Sequence, residues 1–191
     1  MGVTGPGIEK IVEKGRLASD AKHGTTLIIS GDAVGEAIRL GGQGFPVTPF
    51  VIDEPLMGSA MSIDGGILLD AQGLCHGVGV LLDGKATPLG DSARGSRYNS
   101  AVRYVEGRGN AVVLVVSEDG MIDIVPRDQA WNVPAPFPFA VPAIPEADIQ
   151  VAAYYLSNKR GLAKDHFRDW LAAERGLMFR RRLTQLAGGE L

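Results

Sequence analysis

Three short polar segments between residues 64 and 118 carry side chains that can bind phosphate or a metal ion. Asp64-Gly65-Gly66 directly precedes the apolar run Ile67-Leu68-Leu69, and Gly95-Ser96-Arg97 stands at the predicted start of a helix. Ser117-Glu118 follows five apolar residues. Carboxylate oxygens bind hard cations, and the N–H groups at a helix start bind anions. Together the segments indicate a phosphate and metal site on an α/β sheet.

Each segment also has an ordinary structural interpretation. Asp64 can cap a hairpin, Ser96 can be a plain N-cap beside an exposed Arg97, and Ser117-Glu118 can be a simple turn. In the site hypothesis, Arg97 clamps phosphate with two N–H groups, and glycines after Asp64 let a ligand approach the backbone. Convergence favours the site, since all three segments border buried elements within about 55 residues of chain.

Alternating helix and strand patterns provide the elements that must position these groups. Helical spacing of apolar residues extends over residues 8–21, and β-branched residues predict a buried strand over 25–30. The remaining predicted elements are a short helix within 31–44, edge segments within 45–52, a hairpin over 67–82, a helix over 97–106, a strand over 112–116 and an exposed outer strand over 121–125.

Composition limits the function classes. The chain has 191 residues, of which 45% are apolar and 21% charged, as in ordinary globular domains. A formal charge of −3 disfavours a general nucleic-acid binder. Cys75 is the single cysteine, which excludes an intramolecular disulfide and a thiolate metal cluster. Without a leader pattern or a run of about 18 apolar residues, we expect a soluble cytoplasmic protein that does not enter a membrane.

The composition changes after Trp131. Five prolines predict an extended connector over residues 131–146, followed by a helical C-terminal extension over 147–191 with helices at 147–156 and 162–175. Residues 151–191 contain eight Lys and Arg against four Asp and Glu, so this part is net +4. A solvated helical surface that docks on the body or on a partner is favoured over an anion contact.

The order of these segments resembles the diadenylate cyclase (DAC) domain, the nucleotide-binding domain of the bacterial DNA-integrity scanning protein and its membrane-bound relatives. That family carries Asp-Gly-Ala, Gly-Thr-Arg-His-Arg-Ala-Ala and Val-Val-Ser-Glu-Glu motifs. The corresponding residues here are Asp64-Gly65-Gly66, the seven residues from Gly95 to Ala101, and Val115-Val116-Ser117-Glu118. The resemblance extends over residues 17–126 and implies a domain over 8–130.

The resemblance implies an α/β fold with a central mixed β-sheet flanked by helices. It also implies condensation of two ATP molecules into cyclic di-AMP with release of two pyrophosphates, dependent on Mg²⁺ or Mn²⁺. One domain holds one ATP, so two domains must face each other in a homo-oligomer. Asp64 would bind the metal, and Asp64 and Arg97 would be catalytic. The residues implied in nucleotide binding are Gly65, Gly66, Gly95, Ser96, Arg97, Tyr98, Asn99, Ser117 and Glu118.

Two positions depart from the family pattern in a way that bears on charge. Tyr98 and Asn99 replace the His-Arg pair, so one cation and one imidazole are absent, although both residues can hydrogen-bond phosphate. Each lost charge-assisted contact weakens a triphosphate site by about 1.5–3 kcal/mol. Arg94 and Arg103 are candidates to compensate. Gly66 stands where the family has alanine, a change that we expect to be tolerated.

Three functions are compatible with these observations. The first is a metal-dependent diadenylate cyclase, and the second is a sensor of the same fold that binds nucleotide without cyclising it. The third is a structural dimerisation domain that uses its basic C-terminal helices as a contact surface. The sequence favours them in that order, and the Tyr98-Asn99 pair separates the first from the second.

Overall fold

A computed structural model of the chain describes residues 5–19, 24–108, 110–118, 122–126, 145–160, 173–174, 176–181 and 183–184. The helices are α1 (Gly5–Ser19), α2 (Ala33–Arg39), α3 (Glu54–Met61), α4 (Ser96–Arg108) and α5 (Glu146–Arg160), with a short 3-10 turn at Gly41–Gln43. The strands are β1 (Thr25–Ser30), β2 (Phe45–Phe50), β3 (Gly66–Leu69), β4 (Cys75–Val80), β5 (Ala111–Val116) and β6 (Ile122–Val125).

The six strands form one mixed sheet in the order β2-β4-β3-β1-β5-β6. Strand β1 pairs in parallel with β3 and antiparallel with β5, and the other pairs are antiparallel. Thr26 lies opposite Gly66, and Thr25 lies opposite Val116. The starts of β1 and β3 and the end of β5 therefore meet at one end of the sheet, where these central strands begin or finish. The mixed pairing and the flanking helices confirm the predicted α/β class.

Helices cover both faces of the sheet, so the central strands are buried throughout. On one face, Leu27 and Ile29 pack in a cluster with Ile11 of α1 and Met57 of α3. On the other face, Ile28 packs in a cluster with residues of α4. Alternate side chains of β1 thus enter opposite layers, which explains why the strand is buried along its whole length and why Leu27, Ile28 and Ile29 follow one another without a polar residue between them. Burying each large aliphatic side chain contributes about 1.5–3 kcal/mol to stability.

The hairpin predicted over residues 67–82 is formed by β3 and β4. Its turn is organised by the Asp70 carboxylate, which accepts hydrogen bonds from the backbone N–H groups of Gln72 (2.8 Å) and Leu74 (2.9 Å). His76 Nε2 lies 2.9 Å from the other carboxylate oxygen, which satisfies this buried imidazole. Cys75 is fully buried in the same strand, and burial raises the pKa of its thiol.

The segment after β4 is tied to α2 by charge. Arg39 Nη1 lies 2.5 Å from Asp83 Oδ2, and Arg39 also forms two hydrogen bonds with the buried Glu36 (2.9 and 2.7 Å). The hydrogen bond from Arg39 lowers the pKa of the Asp83 carboxyl, although its partial burial opposes the shift. Asp83 is therefore charged at neutral pH, and the pair fixes the chain just after Leu81 and Leu82.

Several elements differ from the sequence-based expectations. Helix α3 was not predicted, although Asp53 caps it by accepting from the Leu56 N–H (3.0 Å) and Pro55 stands in its first turn. Both β2 and β6 lie at sheet edges, as expected. The expectation that β6 is exposed was wrong for Ile124 and Val125, which pack into the two apolar clusters.

The C-terminal part is described only in pieces. Helix α5 (Glu146–Arg160) confirms the first predicted helix of the extension. Residues 131–144 of the predicted connector and 162–172 of the second predicted helix lie outside the described residues. Arg180 forms an ion pair with Glu9 of α1, and Phe179 is buried in the cluster under α1. In the part of the chain that the structure describes, no helix is long and apolar enough to cross a membrane.

Gly65 is required by the backbone where the β3 segment begins. Its φ is +106°, and a Cβ built on it would lie 2.5 Å from the carbonyl carbon of Gly79. We predict that Gly65→Ala lowers the free energy of unfolding by about 1–3 kcal/mol, measured by urea denaturation. Gly58→Ala is the control, because apart from its chain neighbours and the backbone of its own helix no described atom lies within 4 Å of that Cβ, and alanine favours helix α3. Equal stability of the two variants would contradict the prediction.

Candidate functional site

A cleft of about 190 Å³ lies at the end of the sheet where β1 and β3 start, beside the first turn of α4. Its described lining comes from four parts of the chain, which are the start of β1, the Asp64 segment, the end of β4 with the residues after it, and the first turns of α4. The lining residues are Thr26, Asp64, Gly65, Gly66, Val80, Leu81, Leu82, Ser96, Arg97 and Ser100. The first two polar segments predicted from the sequence therefore meet in one cleft.

Asp64 is exposed at the mouth of β3, and its Oδ1 accepts a hydrogen bond from the Gly65 N–H (3.0 Å). The space that side chains at Gly65 and Gly66 would occupy is filled by neighbouring backbone atoms of the protein. A Cβ on Gly66 would lie 2.9 Å from the Thr26 carbonyl oxygen, just as one on Gly65 would meet Gly79. These glycines let strands approach one another, so a steric reason for them exists without a ligand.

Helix α4 begins one residue earlier than predicted. Ser96 is its first helical residue, and the Gly95 carbonyl accepts from the Asn99 N–H (3.2 Å), so Gly95 and not Ser96 occupies the N-cap position. N–H groups in the first turn of a helix lack partners within the helix. The hydroxyl of Ser96 and these N–H groups therefore stand at one entrance to the cleft, where the helix dipole favours an anion.

Arg97 joins the cleft to the end of β5. Its Nη1 would lie 2.5 Å from a Cβ on Gly24, and a side chain there would also meet the carbonyl of Val116. Nη1 lies 3.8 Å from Glu118 Oε1, with Arg97 37% and Glu118 78% exposed. Exposed ion pairs of this kind contribute about 0–1 kcal/mol. The guanidinium can therefore exchange Glu118 for a phosphate at little cost.

Ser117 and Glu118 lie next to the cleft and are not among its lining residues. Glu118 reaches the site only through Arg97. The structure thus brings the third predicted segment to the same end of the sheet as the cleft, but not into the lining.

Tyr98 and Asn99 do not line the described cleft. Tyr98 is 6% exposed and packs in the apolar cluster under α4, with Arg94 Cζ lying 4.8 Å from its ring centroid. Arg94 also forms an ion pair with Asp123 of β6. The positive charge of Arg94 is therefore already paired with a carboxylate. Arg103 is exposed and does not line the cleft, so neither candidate for compensation supplies a cation there.

Asn99 organises the loop that precedes α4. Its Oδ1 accepts from the Asp91 N–H (2.8 Å), and its amide nitrogen lies near three carbonyl oxygens of the loop. These are the carbonyls of Asp91 (2.9 Å), Arg94 (3.0 Å) and Gly95 (3.2 Å). The side chain thus closes the loop onto the first turn of the helix and fixes the position of Gly95.

Sequence reasoning missed Thr26, Ser100 and the three apolar residues that follow Gly79 in the lining. Ser100 is four residues after Ser96, a spacing that places both on one helical face. Thr26 is the second of two threonines that open β1, directly before three apolar residues. These two signals were available in the sequence, whereas the apolar lining depends on the register of β4.

The described residues offer a cation a single carboxylate in the cleft, from Asp64. Within the described part of the chain, no group of three or more His, Cys, Asp or Glu side chains can hold a metal ion. Mg²⁺ commonly binds through one or two carboxylates together with substrate phosphates and water. The donor set therefore fits a divalent ion that is bound jointly by Asp64 and a phosphate ligand.

A mixed sheet flanked by helices defines this chain as an α/β domain, with a polar cleft beside the start of α4. The family model described as DAC, "DisA bacterial checkpoint controller nucleotide-binding", matches residues 15–130. The chain belongs to this family. The resemblance stated from the three motifs is therefore confirmed.

Two solved structures are similar to the chain. DacA from Staphylococcus aureus, solved as a double mutant, is 18% identical with a TM-score of 0.49, over 61% of this chain and 79% of that one. A hypothetical membrane spanning protein from Bacillus cereus is 21% identical with a TM-score of 0.47, over 61% of this chain and 57% of that one. The chain thus spans little more than half of the second protein. A search of the curated proteins gave no match.

Because Asn99 holds the loop before α4, its loss should loosen that loop. We predict that Asn99→Ala lowers the free energy of unfolding by about 1–3 kcal/mol, since several backbone groups lose their partner. Amide hydrogen exchange should accelerate most at Asp91 and Ala93. Ser92→Ala, an exposed change in the same loop, is the control. Unchanged exchange at Asp91 in Asn99→Ala would contradict this role.

Proposed function

We propose that this domain condenses two ATP molecules into cyclic di-AMP with release of two pyrophosphates, using Mg²⁺ or Mn²⁺. The observation that supports the proposal is the meeting of Asp64, Ser96 and Arg97 in one cleft of a DAC family member. A carboxylate for a metal, a helix start and a guanidinium for phosphate are the groups that phosphoryl transfer needs.

In the proposed reaction, the ribose 3′-oxygen of one ATP attacks the α-phosphorus of the other. A P–O bond forms to the 3′-oxygen as its proton passes to water, the α-phosphorus–oxygen bond to the β-phosphate breaks, and pyrophosphate leaves. The second half-reaction repeats these changes in the opposite direction. Ser96, the first-turn N–H groups of α4 and Arg97 orient the phosphates. Asp64 would hold the divalent ion. When bound, the ion would supply charge neutralisation and make the attacking hydroxyl more acidic.

The size of the cleft supports a shared site. Pockets that enclose a drug-sized ligand have volumes of about 300–1,000 Å³, and the cleft has about 190 Å³. Exposed apolar side chains lie beside it, with Ile63 and Phe45 flanking Gly79 and Leu81 in the lining itself. Such side chains suit a contact surface. We therefore propose that two copies face each other across their clefts, each with one bound ATP.

The alternative function is a nucleotide sensor that does not cyclise its ligand. One observation favours it, which is that Arg97 is the only cation among the described residues of the lining. Tyr98 packs in the core and Arg94 is paired with Asp123, so a triphosphate meets less positive charge than the family motif provides. Such a module would bind ATP with metal and release no product.

The role of Asp64 gives the first functional test. We expect the full chain, incubated with ATP and Mn²⁺, to form cyclic di-AMP detectable by chromatography, and Asp64→Asn to abolish it because the metal loses its protein ligand. Glu106→Gln, an exposed carboxylate on α4, is the control and should keep full activity. ATP binding without product in the unaltered chain would favour the sensor. The absence of both ATP binding and product would overturn both functions.

Arg97 should govern affinity for the triphosphate. We predict that Arg97→Ala weakens ATP binding by about 1.5–3 kcal/mol, or roughly 10-fold to 150-fold, because a charge-assisted contact is lost. Isothermal titration with Mg²⁺ present measures the effect. Arg103→Ala removes the same charge from the same helix outside the cleft and should change affinity little. An equal loss in both variants would show that general electrostatic attraction, not a contact, is responsible.

A further inference from the structure

The apolar wall of the cleft belongs to a part of the chain that forms neither helix nor strand. Leu81 and Leu82 follow β4 directly and line the cleft, whereas the next residue, Asp83, is not among the lining residues. We propose that Asp83, held by Arg39 of α2, is a positioning residue that keeps this wall in the shape that binds the ligand. The inference rests on the proposed nucleotide binding and adds a residue outside the cleft that sets ligand affinity.

Contacts on either side of Leu82 hold the wall. Before it, the Leu81 N–H donates to the Gln43 carbonyl (2.8 Å) in the 3-10 turn that follows α2. After it, Arg39 Nη1 lies 2.5 Å from Asp83 Oδ2. Leu82 itself lines the cleft and packs partly against the apolar cluster under α4. The position of the wall therefore depends on α2 and on the turn after it.

The α2 side of the Asp83 contact is fixed independently of Asp83. The buried Glu36 accepts two hydrogen bonds from Arg39 (2.9 and 2.7 Å), and its Oε1 also lies 3.5 Å from Arg108 Nε of α4. Removing Asp83 leaves Glu36 with both arginine partners, so the costly case of a buried charge that loses its partner does not arise. Asp83 can therefore be replaced without disturbing the charge cluster that carries it.

The Asp83 contact is poorly suited to stabilising the fold. The side chains of Arg39 and Asp83 are 27% and 40% exposed, and ion pairs that water reaches contribute little to the free energy of unfolding. A hydrogen bond between two charged groups is nevertheless short and directional, so it restricts where the backbone at Asp83 can lie. The contact therefore fixes geometry more than it adds stability.

The wall acts on the ligand through close contact. Leu81 and Leu82 are apolar and suit the part of the ligand that is not phosphate, whereas Arg97 and the start of α4 suit phosphate. A van der Waals contact loses a quarter to a half of its attraction when a gap of about 0.5–1 Å opens. A wall that is free to move by this amount therefore binds the ligand more weakly, although the fold is intact.

The first test compares Asp83→Ala with the unaltered full chain. We expect affinity for ATP with Mg²⁺, measured by isothermal titration, to fall roughly threefold to tenfold, because the wall is no longer held. Affinity for pyrophosphate with Mg²⁺ should not change, since the start of α4 is unaltered. The melting temperature should fall by about 4 °C at most. A purely electrostatic effect has the opposite sign, because removing a negative charge would strengthen the binding of both anions.

A double-mutant cycle shows whether Asp83 acts through the wall. Leu82→Ala alone should weaken ATP binding, and adding Asp83→Ala to it should cause little further loss, because the side chain that Asp83 positions is already gone. Glu106→Gln is the matched control, since it removes an exposed carboxylate from α4 and should leave both affinities unaltered.

Unchanged or higher ATP affinity in Asp83→Ala, with normal binding by the unaltered chain, would overturn this assignment alone. Losses that add in the double variant would overturn it as well, since Asp83 would then act independently of Leu82. An equal loss for ATP and pyrophosphate would also contradict a role at the apolar wall. Absence of ATP binding by the unaltered chain would overturn both the assignment and the proposed function.

Discussion

The register of β1 between its two neighbours is the constraint on which the site depends. Thr26 lies opposite Gly66 in a parallel pair, and Thr25 lies opposite Val116 in an antiparallel pair. Side chains alternate along a strand, so a slip of one residue would turn Thr26 away from the cleft and expose Leu27 in its place. The same register sets both apolar layers. The polar floor of the cleft and the packing of the core are therefore fixed together.

The described lining of the cleft contains few charged groups. Arg97 and Asp64 balance one another in the described lining, and hydroxyl groups supply the other donors. Neutral donors contribute little attraction at a distance, but they bind an oxygen at short range without bringing an extra buried cation that must be desolvated. The proposed ligand would therefore be selected by the geometry of contacts more than by long-range attraction, and the proposed divalent ion would supply the missing positive charge.

Local signals in the sequence predicted most elements, because β1 is rich in β-branched residues, β5 is a continuous apolar strand and α4 has helical periodicity. What the sequence did not reveal depended on neighbours that are distant in the chain. From the sequence, the absence of side chains at Gly65 and Gly66 could serve the approach of either a ligand or another strand. The structure shows that neighbouring backbone occupies the space where these side chains would lie. Motif resemblance assigned Tyr98 and Asn99 to the ligand, whereas the phase of α4 turns them to the core and the loop. Helix α3 was missed although Asp53 and Pro55 are typical of a helix start.

The bonds of Asn99 have an evolutionary consequence. The side chain accepts from one loop amide and lies near three loop carbonyls, while its neighbour Tyr98 is covered by Arg94. An arginine at position 99 has donors only and cannot accept from the Asp91 N–H, and a histidine at 98 offers Arg94 a smaller ring. Grafting the His-Arg pair of the family motif into this chain would thus remove the support of the loop before any phosphate contact is gained. The two positions and residues 91–95 form an epistatic unit that has to change together.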